Sequence, residues 1–508
     1  MNHRINPVYS IAVVITLAVG IVSAFSLRWV CDDAFITFRY VENFLNGHGL
    51  VYNVGERVEG YTHFLWLMIV AAFQWLGANP VPTSEYLGLA AFAGVLVLAV
   101  IISHHVGKGT YLPLAALALA FHYDFGIWAT GGLETMPFTF LILCSAYLLF
   151  VRRMFFWGGF ALMLSVLMRP DGVLICAVAL VCVVRDGRRA VMMFLLSFLL
   201  LIVWLAWKYW YYGDILPNTY YAKSAGLSYF AQGIEYLWTY FEPYKTSYIF
   251  LLGLLVLRDR LVQFCLGAIV VYSTLFVAKI GGDFMYARFM IPLIPLIYIA
   301  GEISVRELLR ENRWIWAVFI ALPVIVWAER LPRNSLFSAA DGSHKEAYSD
   351  YGGIADEHWY YTSPREGNMN RIEHDELFGR KLRTMFEGEH VRVLLRGQDA
   401  LAYYAKFPEC VEENGLTDVY IAHLPVAERG RPGHEKMAPR DYLLARKVHF
   451  LFLRKPDEFP PEGEAAFRFM DGWIGALIIS ADEGLLSRLQ QKWPDDFRYH
   501  LPPPPPHH

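Results

Sequence analysis

The sequence predicts a polytopic α-helical membrane protein that ends in a soluble α/β domain. Of the 508 residues, 56% are hydrophobic and only 18% are charged, whereas soluble domains carry about 25% charged residues. Long apolar stretches fill the first 330 residues. Polar and charged residues return from about residue 331. We therefore expect a transmembrane domain over 1–330 and a soluble domain over 331–508.

Each membrane-spanning helix needs about 20 apolar residues. About eleven spans are expected, at 8–30, 86–105, 110–128, 133–151, 155–169, 171–185, 189–212, 246–258, 261–279, 284–302 and 313–330. The stretches 155–169 and 171–185 are short, so those helices are expected to be partly buried in protein or broken. The first span has no small-residue cleavage site before Cys31, which favours a retained helix over a removed signal peptide.

Arginines orient these spans, because positive charge marks the cytoplasmic ends of membrane helices. They cluster at alternate turns, at 152–153, 185–189, 258–260 and 306–313. The remaining turns are then predicted to face outward, at 31–62, 131–135, 168–172, 213–245 and 279–283. The apolar segment 62–77 would break this alternation, so we interpret it as a re-entrant or interfacial helix on the outer side. The soluble domain is then also outside.

The soluble domain has three apolar stretches of strand length, at 391–395, 448–453 and 476–479, which predicts a sheet. Pro502–Pro506 predicts a stiff polyproline tail. The net charge of −3 gives no support to nucleic-acid binding. The six cysteines form no CxxC pair, which argues against a zinc ribbon or a dithiol redox motif.

The acidic pair Asp32 and Asp33 lies just where the first span ends. Charge at a membrane boundary is costly and is often functional. The following residues, 34–45, have apolar side chains at helical spacing and predict an amphipathic helix on the membrane surface. One aspartate could simply be its N-cap. The other interpretation is catalytic: one aspartate deprotonates an acceptor hydroxyl while the second orients it or holds a cation.

Several other outward-facing polar residues are candidates to line a cavity. Glu134 opens the span 133–151, where the helix dipole alone would favour a carboxylate. His63 follows a glycine-rich loop, which suits a sugar-facing site or an ordinary exposed loop. Asp283 begins the span 284–302 five residues before Arg288, so the two could form a structural ion pair.

Cations that could hold a phosphate group also fall on the predicted outer side. They are Arg39, Arg169, Lys223 and Arg288. An arginine at the depth of Arg169 must be paired, either with Asp171 or with a phosphate. In the soluble domain, the loop 430–436 holds His434, Glu435 and Lys436, which could contact an acceptor or could form a charged turn.

Taken together, these motifs resemble a known enzyme family. The residues are Asp32-Asp33-Ala34-Phe35-Ile36, Gly55-Glu56-Arg57-Val58-Glu59-Gly60-Tyr61-Thr62-His63, Gly281-Gly282-Asp283-Phe284 with Arg288-Phe289, and Gly415-Leu416-Thr417-Asp418 with Gly433-His434-Glu435-Lys436. In this order they resemble the terminal β-(1→2) arabinofuranosyltransferases of mycobacterial arabinan. The layout resembles, more distantly, lipid A aminoarabinose transferases and protein O-mannosyltransferases. One departure is Phe64, where relatives often carry proline after the histidine.

The resemblance implies a GT-C fold in a bacterial inner membrane, with the active site and the soluble domain on the extracytoplasmic side. It implies transfer of arabinofuranose, with inversion, from a polyprenyl-phosphate donor such as decaprenyl-phosphoryl-arabinofuranose to a glycan or glycoprotein acceptor. Membrane lipids are further partners. On this resemblance Asp32 would be the base and Asp33 its neighbour or a metal ligand. His63, Glu134, Asp283 and 434–436 would line the cavity or seat the acceptor.

Two questions stay open at this stage. A divalent cation, Mg²⁺, Ca²⁺ or Mn²⁺, could be held by Asp32, Asp33 and Glu134, but arginines alone could hold the lipid phosphate. The same fold could also use another lipid-linked sugar, mannose or aminoarabinose. A transporter of lipid-linked sugars is a third class, which the one-sided distribution of charge and the absence of a sequence repeat disfavour.

Overall fold

The computed structural model of the chain describes residues 7–107, 112–309, 314–332, 353–364, 368–426, 429–453, 466–469 and 474–494. These residues form a bundle of apolar helices and, beside it, a domain built around a small sheet. Of the expected tail, 502–508 lies outside the described residues. The predicted class, a polytopic helical membrane protein with an α/β soluble domain, is confirmed.

The first half of the chain is almost entirely helical. Its helices are Pro7–Ser26, Ala34–Leu45, Phe64–Trp75, Pro80–Gly107, Leu114–Phe121, Tyr123–Ile127, Thr135–Ala146 continued by the π-helical turn Tyr147–Val151, Phe155–Met168, Gly172–Val184, Arg188–Leu196 and Leu199–Tyr212. Both short spans, 155–169 and 171–185, are therefore continuous single helices.

The second half adds shorter and less regular elements before the sheet. They are Asn218–Ala222, Phe230–Phe241, the 3₁₀ helix Lys245–Val256, Arg260–Tyr272 with the π-helical turn Ser273–Ala278, the 3₁₀ turn Ile291–Leu293, Ile294–Leu309 and Ile315–Ala328. The soluble domain has the helices Glu357–Thr362, Arg371–Met385, Asp399–Ala405, Val419–Ala422, Arg440–Ala445 and Glu483–Lys492.

Helix length separates two groups of expected spans. Among the described helices, four are long and apolar enough to cross a bilayer: Tyr9–Ser26, Pro80–Val106, Arg188–Tyr212 and Arg260–Ala278. The other expected spans coincide with apolar helices that are shorter or interrupted. The 3₁₀ geometry of Lys245–Val256 makes up for part of this length, because its rise of about 2.0 Å per residue exceeds the 1.5 Å of an α-helix.

Three of the arginine-rich turns, at 152–153, 185–189 and 258–260, meet at one end of the bundle, as the alternation of charge predicts. Arg153 pairs with Asp186 at 2.5 Å, and Arg260 lies 3.6 Å from the same carboxylate. Arg185 donates to the Gln263 Oε1 at 2.9 Å. The acidic pair and the other candidate residues of the transmembrane domain lie at the opposite ends of these helices, which we call the site side.

The span expected at 284–302 begins later than predicted. Residues 281–290 are irregular, and the helix proper starts at Ile294. Gly281 and Gly282 have φ of +96° and +73°, a region that few other residues adopt. Phe284 and Tyr286 also exchange backbone hydrogen bonds with Ala355, at 2.7 and 3.0 Å. This bridge to the soluble domain holds the backbone away from the helix axis.

The helix Ala34–Leu45 does not lie open on the membrane surface, contrary to the sequence prediction. All residues from Ala34 to Val41 are buried, because the helix packs between Phe64–Trp75 and the soluble-domain helix Asp399–Ala405. The predicted apolar periodicity is present, but protein also covers the polar side chains that lie between the apolar ones. Phe64–Trp75 is an apolar helix of twelve residues, and its placement as a re-entrant or interfacial segment stays a prediction.

Within the described part of the soluble domain, five strands form a sheet in the order β2-β1-β3-β5-β4. They are β1 Arg392–Leu395, β2 Glu409–Glu412, β3 Phe450–Leu453, β4 Ala466–Phe469 and β5 Ile474–Ile478. β1 pairs in parallel with β2 and β3, and β5 is antiparallel to β3 and β4. The three predicted strands are β1, β3 and β5. β2 and β4 are not predicted from the sequence, because charged residues interrupt their apolar runs.

Candidate active site

The two aspartates of the acidic pair have different surroundings. Asp32 is buried, and its two carboxylate oxygens accept the backbone N–H groups of Asp399 and Ala400 at 3.0 and 2.8 Å. These N–H groups open the helix Asp399–Ala405, whose own N-cap residue Gln398 makes no side-chain cap. The first N–H groups of a helix lack intrahelical partners and favour an anion. Asp32 therefore caps a helix of the other domain.

Asp33 occupies the N-cap position of Ala34–Leu45 but makes no capping hydrogen bond, so its carboxylate is available for other contacts. Burial raises the pKa of Asp33 above 3.8, while the positive charges of Arg288 and Lys223 oppose that shift. The negative charges of Asp32 and Asp283 raise the pKa further. Asp33 retains some solvent exposure. Asp33 is thus a partly accessible carboxylate of increased basicity, within electrostatic reach of two cations.

The irregular segment 281–290 supplies one of these cations. Arg288 donates through Nε to the Asp283 carboxylate, and both side chains are buried. Tyr236 fixes the backbone of this segment at two points. Its hydroxyl donates to the Met285 carbonyl at 3.0 Å and accepts the Phe289 N–H at 3.2 Å. The predicted Asp283–Arg288 pair therefore exists. It also holds the guanidinium within electrostatic reach of Asp33.

Lys223 supplies the second cation, just after the short helix Asn218–Ala222. Among the described residues no hydrogen bond or ion pair ends on its ammonium group. Its stem runs past Gly433, where a Cβ would lie 3.6 Å from the Lys223 Cε. Burial lowers the pKa of Lys223, as does Arg288, whereas Asp283 and Asp33 raise it. The ammonium group is therefore available for an anion.

A second series of polar contacts, from Thr37 to Asp171, lies on the site side of the bundle. The Thr37 Oγ1 lies 2.7 Å from the His63 Nε2, and the His63 Nδ1 lies 3.6 Å from the Glu134 carboxylate. Glu134 in turn contacts Arg169 at 3.4 Å. Arg169 is also bound through Nε to Asp171, at 3.1 and 3.2 Å. The predicted pair of Arg169 with Asp171 is therefore present, and its contact with a phosphate stays a prediction.

The soluble domain contributes a group of residues that covers Phe284. The Arg431 guanidinium lies 4.5 Å above the Phe284 ring, and the His434 ring meets that ring edge-on at 4.7 Å. Arg431 also donates to Glu357 at 3.2 Å. Burial raises the pKa of Glu357 to about 8, Arg431 opposes the shift, and Asp33 and Asp283 add to it. Burial lowers the pKa of His434 to about 3, so its ring is neutral.

Comparison with known proteins agrees with this architecture. The crystal structure of ArnT from Cupriavidus metallidurans, bound to undecaprenyl phosphate, superposes with a TM-score of 0.53 at 12% identity, covering 93% of this chain and 99% of that one. The chain has a GT-C fold. No protein-family model matches the sequence.

Two curated proteins are similar in sequence. The terminal β-(1→2)-arabinofuranosyltransferase of Mycobacterium tuberculosis is 28% identical over 403 residues, which covers 66% of this chain and 62% of that protein. The protein of the same name from Corynebacterium glutamicum is 24% identical over 374 residues, or 59% of this chain and 52% of that protein. The expected resemblance to these arabinofuranosyltransferases is confirmed. The matched region spans only about half to three-fifths of each relative.

Several predicted site residues of this GT-C chain are engaged elsewhere. Arg39 does not reach the charged group around Asp33: its guanidinium donates to the carbonyls of Tyr52 and Phe407 at 2.8 and 2.9 Å, which joins the two domains. Glu435 pairs with Arg429 at 2.7 Å. Lys436 donates to the Tyr221 carbonyl at 2.8 Å. These contacts occupy the polar groups of Arg39, Glu435 and Lys436.

The predicted metal ligands do not converge either. The carboxylate of Asp32 is taken by backbone N–H groups, and that of Glu134 faces His63 and Arg169. In the part of the chain that the structure describes, no three His, Cys, Asp or Glu side chains are grouped to hold a metal ion. Asp32, Asp33 and Glu134 therefore do not form a metal site in the described structure.

Glu357 is a candidate site residue that the sequence does not predict. It lies at the start of the soluble domain in the acidic run Asp356-Glu357, where Asp356 caps the following helix by accepting the Trp359 N–H at 3.1 Å. Nothing in the local pattern distinguishes the two carboxylates. The bridge between 284–286 and Ala355 brings Glu357 within electrostatic reach of Asp33. No signal within the sequence could have indicated this long-range contact.

Proposed function

We propose that the chain is a membrane glycosyltransferase that moves arabinofuranose from a polyprenyl-phosphate donor to an extracytoplasmic glycan or glycoprotein. The similarity to two arabinofuranosyltransferases supports the sugar. The likeness of fold to ArnT, which was solved with undecaprenyl phosphate, supports a lipid-linked donor. The alternation of arginines supports a site on the extracytoplasmic face of a bacterial inner membrane.

The observation on which this proposal depends is that two cations lie within electrostatic reach of one accessible carboxylate. Asp33 is not used as a cap, and Arg288 and Lys223 both act on its charge. A lipid phosphate is a good leaving group, so the reaction needs a base for the acceptor and cations for the phosphate. The cluster contains both.

In the proposed reaction Asp33, rather than Asp32, is the general base. An acceptor hydroxyl gives its proton to the Asp33 carboxylate as its oxygen bonds to the anomeric carbon. The bond from that carbon to the phosphate oxygen breaks, and its electron pair leaves with the polyprenyl phosphate. The negative charge of this leaving group is stabilised by Arg288 and Lys223. Attack opposite to the departing phosphate inverts the anomeric carbon.

His63, Glu134 and Arg169 form the deeper wall in this proposal. Their mutual contacts fix the ring of His63 and the guanidinium of Arg169, and a fixed polar wall orients a substrate at little entropic cost. Glu357, Arg431 and His434 would close the cavity from the soluble domain, where the acceptor would enter.

Transfer of labelled sugar in vesicles tests the proposal. The full chain is supplied with polyprenyl-phosphoryl-arabinofuranose, or with the mannosyl or aminoarabinosyl lipid, and an arabinan acceptor. We expect transfer from the arabinosyl lipid, and a loss of about 10²–10⁴-fold in turnover for Asp33→Asn. A preference for another sugar lipid would overturn the assignment of the sugar. Unimpaired transfer by Asp33→Asn would overturn the assignment of the base.

A further inference from the structure

The helix Phe230–Phe241 exposes a large apolar stripe that no described part of the chain covers. Phe230, Ile234 and Trp238 follow one another at i, i+4 and i+8, so they share one face. Their exposed fractions are 51%, 59% and 60%. Contiguous exposed apolar surface of this kind marks an interaction site.

The other faces of this helix have different character. Gly233, Tyr236 and Tyr240 are buried against the bundle, and a Cβ on Gly233 would come within 2.3 Å of the Ala278 carbonyl oxygen. Glu235 is exposed on an edge between the two faces. The helix therefore has a protein-facing side, an apolar exposed side and an acidic edge. An amphipathic helix at a membrane boundary has the same division.

The surface on both sides of the stripe identifies what covers it. The chain enters from Arg188–Tyr212, one of the helices long enough to cross a bilayer, and leaves into the apolar helix Lys245–Val256. Both neighbours expose large apolar side chains as well, among them Ile202, Val203, Trp210, Leu251, Leu254 and Leu255. Phe241 stacks on Tyr248 across the junction, with ring centroids 5.2 Å apart. The stripe therefore adjoins the exposed apolar surface of Lys245–Val256 at its C-terminal end, and the spanning helix that precedes it in the chain exposes surface of the same kind.

We propose that Phe230–Phe241 lies in the membrane leaflet on the site side, parallel to its plane, with bilayer lipid as the partner of its apolar stripe. Trp238 and Phe230 are side chains that favour the boundary between headgroups and acyl chains. Glu235 then points to the headgroups and water. Because Tyr236 binds Met285 and Phe289 from the opposite face, the lipid-embedded helix also supports the segment that carries Arg288.

Fluorescence quenching in nanodiscs tests this placement on the full chain. A bimane probe is attached to Trp238→Cys, Ile234→Cys or Glu235→Cys. The unmodified chain gives the labelling background, since five of its six cysteines are buried and Cys144 is half-buried. Lipids brominated on the acyl chain are expected to quench the probes at 238 and 234 several-fold more than the probe at 235. Aqueous iodide should give the reverse order.

Three results would overturn the proposal. Strong iodide quenching at all three positions would mean that the helix stands clear of the bilayer. Protection of positions 234 and 238 from both quenchers would mean that protein, such as a second copy of the chain, covers the stripe. Loss of bromolipid quenching when undecaprenyl phosphate is added would mean that one isoprenoid chain, and not bulk lipid, occupies it. Two probe positions on the stripe guard against the failure of one variant to fold.

Discussion

The carboxylate of Asp32 accepts the backbone N–H of Ala400 at 2.8 Å, across the boundary between the transmembrane and the soluble domain. The same carboxylate also accepts the N–H of Asp399, 367 positions later in the chain. A side chain that follows the first membrane helix thus stabilises the start of a helix in the soluble domain. The position next to it, Asp33, is left to face Arg288 and Lys223. Adjacent residues therefore divide a structural and a proposed catalytic role.

Asp32→Ala is expected to lower the free energy of unfolding by about 2 kcal/mol, because two buried N–H groups lose their acceptor. Thermal unfolding of the purified chain in detergent measures this change. Asp32→Asn keeps one oxygen acceptor and should cost less. An Asp32→Ala variant as stable as the parent chain would contradict the capping role.

The rate of transfer should depend on pH through Asp33. Burial raises the pKa of this carboxyl above 3.8, and only its ionised form can take a proton from the acceptor. Turnover should therefore rise with pH through an acid limb whose apparent pKa exceeds 3.8. The pH profile of turnover measures the limb. A limb at or below the ordinary value would mean that the base is a less buried group.

Lys223→Met should weaken the donor and also move that acid limb. Removal of the ammonium group takes away a charge that lowers the pKa of Asp33, so the limb should shift to higher pH. The KM for the donor lipid should increase roughly tenfold, since a charge-assisted contact to the phosphate is lost. Steady-state kinetics at several pH values test both effects.

Lys245→Met is the matched control for this variant. Lys245 is exposed and its nearest carboxylate, on Glu242, is 3.9 Å away. We expect its replacement to leave both the KM and the pH profile unchanged. Equal behaviour of the two lysine variants would remove Lys223 from the proposed phosphate site.

Glu357→Gln should change how stability depends on pH. The pKa of Glu357 is raised from 4.5 to about 8 in the folded protein, so between these values the folded state holds a proton that the unfolded state has lost. The contribution of this group to stability therefore falls as pH increases from about 4.5 to about 8, by at most about 1.4 kcal/mol per pH unit. The glutamine variant should flatten this slope in thermal unfolding between about pH 5 and pH 8. An unchanged slope would contradict the shifted pKa.

Local signals in the sequence predicted much of the fold. Apolar length and the positions of the arginines located the helices and the end at which Asp33, Glu134 and Asp283 lie, because membrane insertion depends on hydrophobicity and charge along the chain. The late start of the helix at Ile294 was not predicted, since it depends on a bridge to Ala355. The strand β2 was also missed, because Glu409 and Glu412 interrupt its apolar pattern.

The sequence by itself determined that this chain is a membrane protein, which side carries its acidic and basic candidates, and which family it resembles. Only the tertiary structure decided that Asp32 is a cap, that Arg39 joins the domains, and that Glu357 pairs with Arg431. The physical reason is that the sequence gives the identity of a carboxylate or guanidinium side chain, which is the same whether that group binds backbone or substrate. Its partner is fixed by contacts between residues hundreds of positions apart, and no local pattern records them.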